Sequence, residues 1–270
     1  MRFLHSVVLQ MNYAWTITCL KWVFDHNETK EGEREMGNKT LIGVLLLAIP
    51  AAIGMTSTAI AETESSKARG GQLYDKWYAV VGADKPTTSH PLYPADKTYA
   101  KEPKSNWRCK ECHGWDYRGV DGAYKSGKHA SGIKGINGAK GREMDEIVAL
   151  LKDDKHGYGD KLSDADLADL AMFVSAGQVD MDSFIDRASK KPKGDAAKGA
   201  AYFNTMCANC HGRDGKKPKG MKPFAKQMGN PWEVMHKILN GQPDEDMPAL
   251  RALDRQVVVD IMSHMATLSE

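Results

Sequence analysis

The sequence predicts an all-α protein built as two similar halves, and three observations carry that expectation. No stretch alternates apolar and polar residues with the period of a strand. Apolar residues recur instead at helical steps between glycine and proline stops, as with Leu73, Trp77, Tyr78 and Val81 ahead of Gly82. One pentapeptide pattern, C-x-x-C-H, also occurs twice, at Cys109–His113 and at Cys207–His211, with different residues between the cysteines.

The two copies carry chemistry as well as a repeat. Two thiols three residues apart fall on one side of a helical turn, where each can form a thioether with one vinyl group of a haem. The adjacent histidine then lies under the iron. Cys109, Cys112, Cys207 and Cys210 are therefore expected to hold two covalent haems, with His113 and His211 as iron ligands. A shared zinc site would bring its cysteine pairs within about 20 residues of each other, whereas these lie 98 apart. A thioredoxin-like redox pair needs a βαβ setting that neither copy has. The motifs consume four of the five cysteines, and the fifth, Cys19, precedes the expected mature chain, so no disulfide is expected.

A chain of 270 residues with a repeated motif fits two small domains. Neither needs a large protein core, because a buried haem compensates for a short chain as a structural metal does. A formal net charge of only +2 gives no sign of a nucleic-acid binder. Lysine and arginine outnumber acids over residues 101–142 and 187–226, and acids lead over 143–186 and 227–270. Each half is thus expected to be basic near its motif, which would steer acidic redox partners to that side.

Residues 1–35 hold scattered apolar side chains but no uninterrupted span of membrane length. They are expected to be upstream sequence ahead of the true start at Met36. Residues 36–61 then read as a cleaved signal peptide. Met36 to Lys39 form a basic start, Thr40 to Met55 an apolar stretch too short for a spanning anchor, and Ala59-Ile60-Ala61 the cleavage site. Export to the periplasm suits the chemistry, because c-type haem is attached on the far side of the bacterial inner membrane.

The first domain is expected over 62–189, with a helix from Lys67 to Val81 that Gly82 ends. The loop 82–106 contains Pro86, Pro91, Pro94 and Pro103 and exceeds ordinary connections, so it packs over the haem or contacts a partner. Helices follow at Met144 to Leu151 and Leu162 to Val174, the second capped by Ser163 with Asp166 three residues on. Residues 190–194, Lys-Lys-Pro-Lys-Gly, are the linker. The second domain, 195–270, has helices from Asp195 to Met206, from Asn230-Pro231 to Leu239 with Gly241 closing it, and from about Asp254 to Leu268.

With these motifs and helices, residues 67–270 resemble tandem dihaem cytochromes c of class I. That resemblance implies two domains in each of which an N-terminal helix crosses a C-terminal one around a haem, and a loop brings a sixth iron ligand. Gly199 and Phe203 match the small and aromatic positions of the family's first helix. Met247, in Met247-Pro248-Ala249-Leu250, sits where the family carries its distal methionine, whose soft sulfur suits haem iron. Aligning the halves backwards from their last helices pairs Leu162 with Leu253 and Leu170 with Ile261, and sets His156 upon Met247 without a gap. His156 is thus the expected sixth ligand of the first iron. His129, 16 residues after His113, competes with it. Met144 and Met172 fall in helices where packing explains them. His90, His236 and His264 are expected to pack or lie at the surface, and Trp107, Trp115 and Trp232 to shield haem edges.

Two protein ligands on each iron leave no open position for a substrate, which favours a periplasmic electron carrier between a respiratory donor and an acceptor. Such a carrier would associate with an inner-membrane complex. The alternative is an enzyme or haem subunit of a periplasmic oxidoreductase, such as a thiosulfate dehydrogenase-like protein. The cysteine-ligated type of that enzyme is disfavoured, because no mature cysteine is left over.

Overall fold

Helix α1, residues 63–80, opens the part of the chain that the computed structural model describes, residues 63–270. The expected upstream segment, the signal peptide and Cys19 lie outside the described residues. Leu73, Trp77 and Tyr78 are buried on one face of α1, and Gly82 ends the turn with φ +64°, the conformation in which glycine carries no Cβ penalty. The proline-rich segment follows, closing with the short helix α2, Pro103–Asn106. Next come α3, Cys109–His113, and α4, Met144–Lys152. Helix α5, Asp164–Met172, continues as a π turn through Phe173–Gly177. Ser163 caps α5 reciprocally with Asp166, as expected.

The second half holds α6, Ala196–Met206, the motif helix α7, Ala208–His211, and a short α8, Phe224–Gln227. It ends with α9, Pro231–Asn240, closed by Gly241 at φ +86°, and α10, Arg255–Met265. Asp195 and Asp254 cap α6 and α10 by accepting from backbone N–H groups of the first turn.

The helix crossing occurs twice. A Cβ on Gly199 of α6 would overlap the carbonyl of Asp260 in α10, and one on Gly70 of α1 would overlap the carbonyl of Asp169 in α5. Only glycine lets the backbones approach so closely. Asp169 and Asp260 are 91 positions apart, the offset that also pairs His156 with Met247. The motifs repeat their exits at an offset of 98. Gly114 and Gly212 take φ +81° and +77°, and the carbonyls of His113 and His211 accept from Gly119 N and Lys217 N.

One expectation differs in detail. The segment 190–194 supplies half of a two-stranded hairpin, in which β1, Ile185–Asp186, pairs antiparallel with β2, Lys191–Pro192. Strands of two residues are too short to show a period-two pattern, so periodicity could not reveal them.

The halves meet through buried polar contacts. His236 of α9 lies fully buried, with Nε2 2.9 Å from the Gly71 carbonyl and Nδ1 2.8 Å from the Tyr117 hydroxyl. A neutral imidazole satisfies both when Nε2–H donates and Nδ1 accepts. Asp75 of α1, also buried, pairs with Arg108 and, at 3.0 Å, with Lys237 of α9. Arg251 donates to the Gly177 carbonyl and the Asn240 side chain. Apolar residues of both halves belong to one continuous core.

Candidate functional site

The first motif opens onto a cavity of about 370 Å³. Cys109, Cys112, His113 and His156 all line it, and most of the remaining wall is apolar, with Ile133, Ile136, Ile147 and Leu151 among its members. Helix α3 presents the two thiols because positions three apart share one side of a turn. The ring of His113 is held by a 2.6 Å hydrogen bond from Nδ1 to the carbonyl of Lys134. A carbonyl only accepts, so Nδ1 carries the proton and Nε2 keeps its lone pair. Burial lowers the His113 pKa, which keeps the ring neutral as a metal ligand requires.

Burial pushes the Cys109 thiol up to about 11 and that of Cys112 to about 12. A dithiol redox centre needs the opposite shift, towards a reactive thiolate. This argues against a thioredoxin-like pair. Among the described residues, no group of three or more His, Cys, Asp or Glu converges where it could hold a metal ion by itself.

His156 sits on a turn just after α4. Asp153, the residue that ends the helix, accepts from the backbone N of His156 at 2.7 Å and faces its ring Nδ1 at 3.2 Å. The carboxylate can only accept, so Nδ1 of His156 carries the proton there and the other ring nitrogen is the one left to meet a ligand. The competing histidine lies elsewhere. His129 does not line the cavity; its ring stacks between Tyr99 and Tyr124, with centroids 5.0 Å away on each side, and its Nδ1 meets buried Glu111 at 2.7 Å. Met144 and Met172 are also absent from the cavity wall.

His90 packs, as expected, and does more than pack. It is buried, lines the same cavity and reaches the carbonyl of His156 with Nε2 at 3.2 Å. The proline-rich segment therefore packs over this cavity, with Leu92 beside His90 in the wall. None of Trp107, Trp115 or Trp232 lines it. Trp107 backs His90 at 4.3 Å, Trp115 lies 5.0 Å from His236 where the halves meet, and Trp232 is covered by Arg187.

Sequence reasoning passed over Tyr74 and Asp153. Tyr74 lines the cavity and donates to the Gly114 carbonyl at 2.6 Å. The Asp153-x-x-His156 spacing was a visible signal, since Asp readily binds the backbone two or three residues on.

In the second half the expected ligands lie on elements that repeat those of the first. Cys207 is partly buried and Cys210 exposed at the start of α7 and within it. The His211 ring lies 4.9 Å from Phe224, and its Nδ1 is buried without a hydrogen-bond partner. Met247 is partly buried against the core, in a loop anchored where Leu250 N donates to the Ile238 carbonyl at 3.0 Å.

The family model described as cytochrome C oxidase, cbb3-type, subunit III matches residues 194–265. No curated protein and no solved structure matches the chain. The matched residues hold Cys207, Cys210, His211 and Met247. The match supports a c-type cytochrome domain there, and such a domain implies covalent haem and electron transfer.

Proposed function

We propose that the chain is a dihaem c-type cytochrome that passes single electrons between a respiratory donor and an acceptor in the periplasm. The observation that carries the dihaem reading is the convergence of Cys109, Cys112, His113 and His156 on one largely apolar cavity, in the half that the family match does not reach. A covalently held haem supplies a one-electron iron couple. Cys109 and Cys112 would hold it by thioethers, His113 and His156 would ligate the iron, and the apolar wall would keep water away. Arg142 stands in the wall with its guanidinium half exposed and paired to Glu146 at 3.0 Å, and it would be the cation nearest to hand for a haem carboxylate. In the second half the same roles fall to Cys207, Cys210, His211 and Met247.

Two ligands on each iron make the chain a carrier. The other reading, a haem subunit or enzyme of a periplasmic oxidoreductase such as a thiosulfate dehydrogenase-like protein, requires one iron to have a labile position. Residues 36–61 serve as the export signal, and among the described residues no helix is long and apolar enough to cross a membrane. The basic motif regions would face acidic surfaces of the partners, one of which belongs to an inner-membrane complex.

Mass spectrometry joined to a redox titration tests this. The exported protein should begin near Glu62, carry two haems and titrate in two separated one-electron waves. Methionine sulfur favours ferrous iron and imidazole favours ferric iron, so the sulfur-to-iron charge-transfer band should vanish in the higher wave. Met247→His should bring the waves together. A mass short of one haem sinks the dihaem reading, and a high-spin resting fraction favours the enzyme.

A further inference from the structure

We infer that His90, carried by the proline-rich segment that the second half lacks, is a positioning residue that clamps the loop bearing His156 and so keeps the sixth position of the first iron closed. This rests on the reading of His156 as a ligand.

The segment between α1 and the first motif has no counterpart in the second half, where α6 runs directly into Cys207. Its own bonds fix it in place. Asn106, fully buried, accepts from His90 N at 2.9 Å and donates to the carbonyls of Tyr99 and Ala100, while Trp107 Nε1 donates to the Thr88 carbonyl at 2.8 Å. The tautomer of His90 follows from its neighbours. Leu92 N donates to Nδ1 at 3.2 Å, so Nδ1 is the bare nitrogen and Nε2 carries the proton towards the His156 carbonyl. Both nitrogens are then engaged, and His90 is not itself a spare iron ligand.

The loop it holds has one other long-range tie, at Tyr158, which is buried and donates from its hydroxyl to the Trp107 carbonyl at 2.9 Å. Asp153 grips His156 from within the same turn, and Gly157 N donates to the Asp153 carbonyl at 2.8 Å. These bonds shape the turn, but they do not pin it against the far wall of the cavity. The bond from His90 crosses 66 positions of sequence and fixes the loop at His156 itself, two residues before the Tyr158 tie.

The test compares His90→Leu, His90→Gln and His156→Ala in the haem-loaded full chain. The readouts are the ferric spin state and carbon monoxide uptake by ferrous protein, with the second haem as internal control. His156→Ala should turn one haem high-spin and open it to carbon monoxide. If both haems stay low-spin, the ligand reading fails and takes the clamp with it.

With His156 established, His90→Leu keeps the bulk and removes the donor. Carbon monoxide uptake at the first haem should rise roughly two- to tenfold, the population shift that one hydrogen bond can hold. His90→Gln, which restores an N–H donor, should return it towards the wild-type value. A Leu variant that matches wild type, or a Gln variant as open as Leu, overturns the proposal. Should the Leu variant fail to load haem, nitrogen NMR of the wild-type protein decides. A slowly exchanging Nε2–H on His90 supports the clamp, and a proton on Nδ1 refutes it.

Discussion

His236 shows how one side chain ties stability to pH. Burial, only partly offset by Asp75, lowers its pKa from 6.5 to about 4. The unfolded chain takes up a proton near pH 6.5 and the folded one does not until about pH 4. The contribution is therefore fully present above pH 6.5 and is lost as the pH falls through that window. At ~1.4 kcal/mol per unit the loss is about 3 kcal/mol. Urea unfolding of the wild type at pH 7 and pH 4.5 should show most of that fall, and His236→Gln should flatten it. An equal fall in both proteins would assign the effect to other groups. None of this was legible in the sequence, where His236 is one histidine in a helical pattern. Its importance comes from Gly71 and Tyr117, more than a hundred positions away. That Cys109, Cys112 and His113 share one cavity wall, by contrast, follows from their adjacency in the sequence.

Helices were legible where the pattern was local, and their crossings only in part. The Ser163 cap, the Asn230-Pro231 start and the Gly82 and Gly241 stops all sit within a few residues of what they terminate. Gly199 stood out by resemblance, but its counterpart in the first half, Gly70, did not, because a glycine inside a helix says nothing about which backbone passes over it. Both crossings should respond alike to a methyl group. Gly70→Ala and Gly199→Ala each force two helices apart, at a cost of about 1–3 kcal/mol, more than the gain in helix propensity of about 1 kcal/mol returns. Thermal melts of the two variants check this. An unchanged or raised midpoint in either would mean that its helix pair has room to shift.

At the scale of the whole molecule, the hairpin at 185–192 is not what keeps the halves together. Asp75 with Lys237, His236 with Gly71 and Tyr117, and Arg251 with Gly177 all cross between them. Removing Asp75, which is buried and pairs with both Arg108 and Lys237, costs about 3–5 kcal/mol because it leaves both cations unpaired there. A protease site placed in the turn 187–190 should therefore yield a nicked protein that still elutes as one species, with its absorption spectrum unchanged. Fragments that separate on dilution would show the contacts to be weak. The sequence pointed to two units and a linker, but the surface between them carries, beside its apolar part, polar side chains that read as ordinary exposed residues.

Helix α1 also bears on the order in which the chain can fold. Its Gln72, Gly71 and Asp75 find their partners 168, 165 and 162 positions later, at Asn240, His236 and Lys237. A chain emerging from its N-terminus must wait for nearly its whole length before this helix is sealed, and such distant closures make folding slow. If Cys109 and Cys112 take a haem as proposed, the delay would have a use. The wall that Tyr74 of α1 adds around them would be completed late, leaving the thiols within reach of the machinery that delivers it.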